Sequence, residues 1–502
     1  MTLKHYDWLA HHAFVTPEAP CWSDLHSGRS FTYAEAEDRC RRLAAYLARQ
    51  GVAKGDRVAV LAMNSTDGME IHSACAKIGA IFLPLNWRLA APELDFILGD
   101  AEASVLIHDT AMADLAGALP VRPSHVIETG GGGQVSAYED AIAGSDGDVA
   151  LADLTHDDTW TIMYTSGTTG HPKGAPNTYG MTLTNAINLS APLKMHCGSV
   201  GLTFLPLFHT GGLNCFSTPM LHNGGSTVIM RAFDPGLALR VIGDPEQGIT
   251  HCIGVPANWL FMSQHPDFST TDFSRLIGPT VGGAPMPVPL LNTYSAIGMD
   301  IVQAFGMTET SPAVTLQTPE TAASKPGSAG RCVLHGDLQI RRDDGTCAPV
   351  DEVGALWVKG PNITPGYWKR PEANATEFVD GWFNSGDAAR LDADGDLWIV
   401  DRWKDMYISG GENVYPAEVE NVLFAIPGIR DGAIVGAPDE KWGEVGVAWC
   451  VLEEGADLSE DDILGHFQGK LARFKLPVRV RFIDELPRNA TGKVLKRELR
   501  EM

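Results

Sequence analysis

Residues 161–174 read TIMYTSGTTGHPKG. The first four, Thr161 to Tyr164, are apolar or β-branched and form a short strand. The ten that follow are mostly glycine and hydroxyl side chains, with His171, Pro172 and one lysine. Glycine lets a backbone turn its N–H groups toward an anion without interference from a Cβ. The hydroxyls and Lys173 add further donors, so the stretch is a strand running into a phosphate-binding loop. It is not the Walker loop, GxxxxGK followed by Ser or Thr. Here the lysine comes three residues after Gly170, with Pro172 between, and that spacing excludes a P-loop kinase.

Working outward, the chain before this loop alternates helix and strand. Residues 33–50 have helical spacing, with Leu43 and Leu47 on one face and Gly51 as the stop. Residues 57–63 (RVAVLAM) are a short apolar strand, 68–78 a helix and 80–84 a strand. Residues 91–98 and 104–108 repeat the pair. Such alternation predicts parallel sheets covered on both faces. After the loop, residues 327–400 change style. Gly, Asp and Pro turns separate short strands such as 338–341 and 355–358, which predicts a smaller, mostly antiparallel unit. Residues 401–405 are charged and read as a linker, placing a boundary near Asp401. Beyond it come a helix over 416–425, opened by Pro416, and strands at 434–436 and 445–452.

The whole chain has 502 residues, enough for about three or four folding units. Lys and Arg number 38 against 62 Asp and Glu, a net charge of −24, which argues against non-specific nucleic-acid binding. Residues 466–502 run the other way, with ten basic and four acidic side chains. Nine scattered cysteines form no CxxC pair, so neither a metal set nor a disulfide framework is expected. No long apolar run suggests a signal peptide or a transmembrane segment. A reducing cytoplasm is the expected location.

The loop TSGTTGHPKG resembles the phosphate loop of the adenylate-forming superfamily, which includes acyl-CoA synthetases, luciferases and nonribosomal adenylation domains. Further stretches match in order. Gly282-Gly283-Ala284-Pro285 resembles the adenine loop, and FGMTET at 305–310 the YGxTE motif, with Phe305 where the motif has Tyr. GWFNSGD at 381–387, DRWKDMYISGGENVYPAEVE from 401, and PRNATGK at 487–493 resemble the family's remaining motifs. The resemblance implies an α/β fold. Residues 1–400 would hold two βα subdomains and a β-barrel-like subdomain. Residues 401–405 would be a hinge, and 406–502 a small mobile α+β lid.

The same resemblance implies a chemistry. A carboxylic acid and ATP give an acyl-adenylate and pyrophosphate. A thiol such as that of CoA then displaces AMP. Thr165, Ser166, Gly167, Thr168, Thr169, Gly170 and Lys173 would hold phosphates. Gly283, Ala284, Pro285, Phe305, Gly306 and Met307 would surround adenine. Thr308 would donate to the α-phosphate, and Glu309 would hold Mg²⁺, a hard cation suited to carboxylate oxygen. Asp387 and Arg402 would bind the ribose. Lys493 would stabilise the transition state of adenylation and give the basic tail one purpose. Lys404 would be the hinge residue. Ser409, Gly410, Gly411 and Glu412 would line the thiol channel in a second lid position. His209 would gate the acyl site, walled by Gly212, Asn214, Val281, Gly282, Gln303 and Thr310. None of these wall residues is basic, which weighs against a dicarboxylate.

LPLFHTGGLNCFSTPMLHNGG and the later MRAFDP resemble bacterial enzymes that act on hydroxycinnamates such as ferulate. A medium-chain fatty acid is the second expectation. A carrier-protein thiol as acceptor and a catalytically silent nucleotide-binding regulator are the alternatives. The regulator would have lost Glu309, Asp387, Arg402 or Lys493, and all four are present.

Overall fold

The computed structural model describes residues 3–120, 123–133, 135–165, 172–402, 405–409, 412–439, 442–489 and 492–502. The side chains of Arg402 and Asn413 lie outside that description.

Two large sheets carry most of the chain. The first has six strands in the order His125–Thr129, Ala103–Asp109, Arg57–Leu61, Ile81–Pro84, Thr159–Thr165 and Lys173–Thr178. The first five run parallel, as the alternation predicts. The sixth does not: Lys173–Thr178 returns antiparallel to Thr159–Thr165. The intervening loop is too short for a parallel crossover, so the chain can only double back.

The second sheet has nine strands. Its parallel centre runs Val302–Gly306, Gly278–Val281, His251–Gly254, Val200–Thr203, Ser226–Ile229 and Pro20–Asp24. Antiparallel strands flank it, Ser30–Thr32 on one side, Ala313–Leu316 and Arg331–Cys332 on the other.

Helices between the sheets explain the apolar patterning. Tyr33–Arg49 begins at a capping box. Thr32 accepts from the Glu35 N–H while the Glu35 carboxylate accepts from the Thr32 N–H. Its buried face repeats at Cys40, Leu43, Ala44 and Leu47, the helical i, i+3, i+4, i+7 stripe. Thr66–Ile78 is buried almost all round. It packs in one core with Val58, Phe82 and Val105 of the first sheet and Trp22 and Ile229 of the second. Its buried charges are paired, as they must be. Arg29 meets Asp67 and Glu70 at 2.8 and 2.9 Å, and Lys77 meets Asp7 at 2.7 Å.

The third sheet is antiparallel throughout: Asp337–Arg341, Gly354–Lys359, Trp382–Leu391 and Phe378–Val379, with Leu397–Arg402 paired to Trp382–Leu391. The fourth begins after it, in the order Glu412–Val414, Tyr407–Ser409, Gly443–Leu452 and Ile429–Asp439. Arg479–Phe482 joins Gly443–Leu452 in parallel. One face is covered by Pro416–Leu423 and Glu460–Phe467 through Val419, Leu423, Ile463 and Phe467. The other is covered by Leu486 and Leu499. Asp401 ties the two smaller sheets together by accepting from the Ala417 N–H at 3.1 Å. Among the described residues no helix is long and apolar enough to cross a membrane.

Candidate active site

The parallel strands of the second sheet end side by side, and their carboxyl ends carry the predicted segments. His209 follows Val200–Thr203, Val255 follows His251–Gly254, Gly282 to Pro285 follow Gly278–Val281, and Phe305 to Glu309 lie at or after the end of Val302–Gly306. A crevice at such ends is where open α/β sheets bind ligands. Val281 stands directly beside Gln303, and the Gly282 N–H donates to the Gly254 carbonyl at 3.1 Å.

Thr165 and Lys173 close the predicted phosphate loop as cross-strand partners. Ser166, Gly167, Thr168, Thr169 and Gly170 lie outside the described residues. Lys173 Nζ pairs with Glu377 at 2.6 Å and lies 4.8 Å from the ring centroid of Tyr367. The Tyr367 hydroxyl donates to Glu309 Oε1 at 2.9 Å. Burial, then the charges of Glu309 and Glu377, push that hydroxyl's pKa up, so it stays protonated.

Glu309 sits in a single turn, Thr308–Thr310, whose backbone is held from outside. Asn177 donates to the Thr308 carbonyl, the Thr364 N–H to that of Glu309, and Asn362 to that of Thr310. The Thr310 hydroxyl is occupied with the Met307 and Pro312 carbonyls. In these bonds it braces the turn. Gly306 is required here, because a Cβ would collide with the Pro312 carbonyl oxygen. Phe305 and Met307 are half-buried and pack toward the third sheet.

A carboxylate such as Glu309 is a hard donor that fits Mg²⁺. A second acidic group, Asp392, Asp394 and Asp396, surrounds Lys325 Nζ at 2.8 Å from each, so it is an ammonium site.

Asp387 and Arg402 face each other across neighbouring strands of the third sheet. Asp387 is buried, and its own N–H donates to the Ser385 hydroxyl. The loop ending in Lys493 reaches the same crevice. A Cβ on Gly492 would lie 2.9 Å from Val255 Cγ2, and one on Gly283 would lie 3.4 Å from Val255 Cγ1. Val255 therefore touches both the predicted adenine loop and the neighbour of Lys493. The loop is stiffened locally, with the Lys493 N–H donating to Asn489 and Arg488 bonding the Gly492 carbonyl and Asp431.

Ser409 and Glu412 pair at the Glu412–Val414 edge of the fourth sheet, while Asp431, which anchors the Lys493 loop, lies on the opposite edge strand. Lys404, Gly410 and Gly411 lie outside the described residues.

His209 is half-buried beside Phe208, and desolvation followed by the nearby Arg88 charge lowers its pKa to about 4. It is a neutral imidazole at pH 7, and its Nε2 makes no hydrogen bond among the described residues. Gly212 is fully enclosed, since a Cβ would collide with the Leu205 and Pro206 carbonyls. The Asn214 backbone carbonyl accepts from Asn185. The residue is 1% exposed, yet neither side-chain amide atom has a partner among the described residues. Gln303, by contrast, is held by the Ser328 carbonyl. The sequence reading passed over Arg88, Val255, Tyr367 and Glu377. Each is placed by contacts remote in sequence, and none lies in a phosphate-type motif.

Comparison with known proteins places this geometry. Residues 9–368 match the model of the AMP-binding enzyme family, and residues 418–493 that of the AMP-binding enzyme C-terminal domain. A feruloyl-CoA synthase of Amycolatopsis sp. is 40% identical over 493 residues, 98% of each chain. A long-chain-fatty-acid–CoA ligase of Mycobacterium tuberculosis is 37% identical over 507 residues, 99% of this chain and 98% of that one. The crystal structure of an anthranilate CoA ligase in complex with anthranoyl-AMP superposes with a TM-score of 0.92 at 27% identity, covering 100% of this chain and 98% of that one. The chain belongs to the AMP-binding enzyme family, within the adenylate-forming superfamily, and is an AMP-forming acid–thiol ligase.

Proposed function

We propose that this ligase activates a hydroxycinnamic acid such as ferulate and transfers it to CoA. A carboxylate oxygen attacks the α-phosphorus of ATP as the bond to pyrophosphate breaks. The CoA thiol then loses its proton and attacks the acyl carbon, and AMP leaves with the electrons of the C–O bond. Lys173 and the residues before it hold the phosphates. Thr308 and Lys493 stabilise the charge that builds on the α-phosphate, and Asp387 with Arg402 holds the ribose. Glu309 holds Mg²⁺, which when bound neutralises phosphate charge. Residues 401–405, with Lys404 as pivot, join the part spanning 1–400 to a lid spanning 406–502. The opposite-edge placement of the Lys493 loop and the 409–412 segment supports two lid positions, one for each half-reaction.

One observation carries the choice of acid: the buried Asn214 carboxamide, which has no hydrogen-bond partner among the described residues. A buried polar group without a partner costs about 1–3 kcal/mol. A phenolic hydroxyl on the substrate repays that cost, and an alkyl chain does not. The neutral His209 and the enclosed Gly212 leave an uncharged wall, which fits a flat ring. The feruloyl-CoA synthase relative supports the same acid. The fatty-acid–CoA ligase relative keeps a fatty acid as the second reading.

The test is Asn214→Leu, assayed with ferulate and with unsubstituted cinnamate. We expect kcat/KM to fall about ten- to a hundredfold for ferulate and to hold for cinnamate. Equal loss with both acids, or a wild-type preference for decanoate, would overturn the hydroxycinnamate reading.

A further inference from the structure

Tyr367 is 6% exposed, and its position is set from several sides. Its N–H donates to Asn374 Oδ1 at 2.7 Å, and Asn374 Nδ2 returns a bond to the Tyr367 carbonyl at 3.1 Å. Its ring meets Phe378 edge-on at 5.9 Å. The segment around it is stitched to the strand that leaves the phosphate loop. The Trp368 N–H donates to the Gly174 carbonyl at 2.8 Å, and the Thr364 hydroxyl to the Pro176 carbonyl at 2.7 Å. A second link, from the Thr364 N–H to the Glu309 carbonyl at 2.8 Å, reaches the other side of the crevice.

From this fixed position one side chain serves two opposite charges. Its hydroxyl donates to Glu309 Oε1, and its ring face lies under the Lys173 ammonium. Lys173 also pairs with Glu377 at 2.6 Å. A charge-assisted hydrogen bond restricts which way a carboxylate points, and a cation over an aromatic face is held without consuming its hydrogen-bond donors.

We propose that Tyr367 is the positioning residue that sets the Glu309 carboxylate and the Lys173 ammonium relative to one another before MgATP enters. Its hydroxyl aims the metal-binding carboxylate, and its ring keeps the ammonium ready for the polyphosphate, which takes the place of Glu377. This rests on the proposed roles of Glu309 and Lys173.

The test measures divalent-cation binding directly, by Mn²⁺ electron paramagnetic resonance in the presence of the non-reacting nucleotide α,β-methylene-ATP. Tyr367→Phe keeps the ring and its packing and removes only the hydroxyl. It should weaken Mn²⁺ binding about tenfold, the scale of one hydrogen bond to a charged group. Nucleotide affinity without metal should not change. Tyr367→Leu, which also removes the ring face, should weaken metal-free nucleotide binding as well. Glu309→Gln is the companion variant. If it loses Mn²⁺ affinity while folded Tyr367→Phe binds Mn²⁺ like the wild type, the positioning role is overturned and the Glu309 assignment stands. If Glu309→Gln itself binds Mn²⁺ normally, the Glu309 assignment is overturned, and the role of Tyr367 with it.

Discussion

His5 and His72 are buried imidazoles and His209 is a half-buried one, and loss of solvent lowers their pKa values to about 4, 3 and 4. His72 stacks on Trp160 at 4.2 Å, with neither ring nitrogen bonded among the described residues. In an unfolded chain each would titrate near its ordinary 6.5. Between pH 6.5 and about 4 the unfolded state therefore binds protons that the folded state refuses. Stability is complete above pH 6.5 and is lost as the pH falls through that window. The loss is about 1 kcal/mol per pH unit for each histidine. We expect the thermal midpoint to drop clearly between pH 7.5 and 5.0, and His72→Phe to blunt the drop. Equal midpoints at the two pH values would contradict this. The histidines also mark what a sequence shows at this scale. Local motifs name Glu309, Asp387 and Lys493 because their neighbours in sequence carry the pattern. Tyr367 has no such pattern, since its partner Glu309 is 58 residues away. Glu377 is 204 residues from Lys173, and only the fold joins them. The Thr310 hydroxyl makes a related point: its place in a motif does not say that it bonds the Met307 and Pro312 carbonyls.

At the scale of elements, strands and helices before the phosphate loop were legible because apolar periodicity is local. The strand expected at 104–108 spans Ala103–Asp109, and the helix expected at 68–78 is Thr66–Ile78. The strand expected at 434–436 is far longer, Ile429–Asp439. Its Gly432 and Gly436 interrupt the apolar pattern, yet they are the positions where Leu423 and Tyr407 press against the backbone. Strand neighbours and sheet edges were not legible, because pairing often joins segments that are not adjacent in sequence, Trp22 with Thr227 among the most distant. The Lys493 loop is the element on which the proposed two-step chemistry turns. It stands against Val255 in the arrangement described here, beside the predicted adenine loop. Lys493→Ala should slow acyl-adenylate formation about a hundredfold or more. Thioester formation from a supplied acyl-adenylate should stay within about threefold. Stopped-flow assays of the two half-reactions separate these outcomes, and equal loss in both would refute the assignment.

The residues proposed to carry the chemistry come from all four sheets, with the proposed adenine and metal-binding segments at the carboxyl ends of one parallel sheet. The first sheet supplies Thr165 and Lys173, the third Asp387 and Arg402, and the smallest unit the Lys493 loop. On the proposed assignment no single unit holds a complete site, and sites at such junctions are where relative movement of units can assemble or dismantle a constellation. The net charge of −24 makes this convergence necessary: an anionic substrate is held by local donors against the field of the protein as a whole. The most direct measurement is AMP release from ATP and Mg²⁺, with and without CoA, across ferulate, p-coumarate, benzoate, hexanoate, decanoate and malonate. The account predicts CoA-dependent AMP release, fastest with ferulate or p-coumarate and absent with malonate. Pyrophosphate exchange with an acid of this panel but no CoA-dependent turnover would contradict it and point to a carrier-protein thiol as the acceptor.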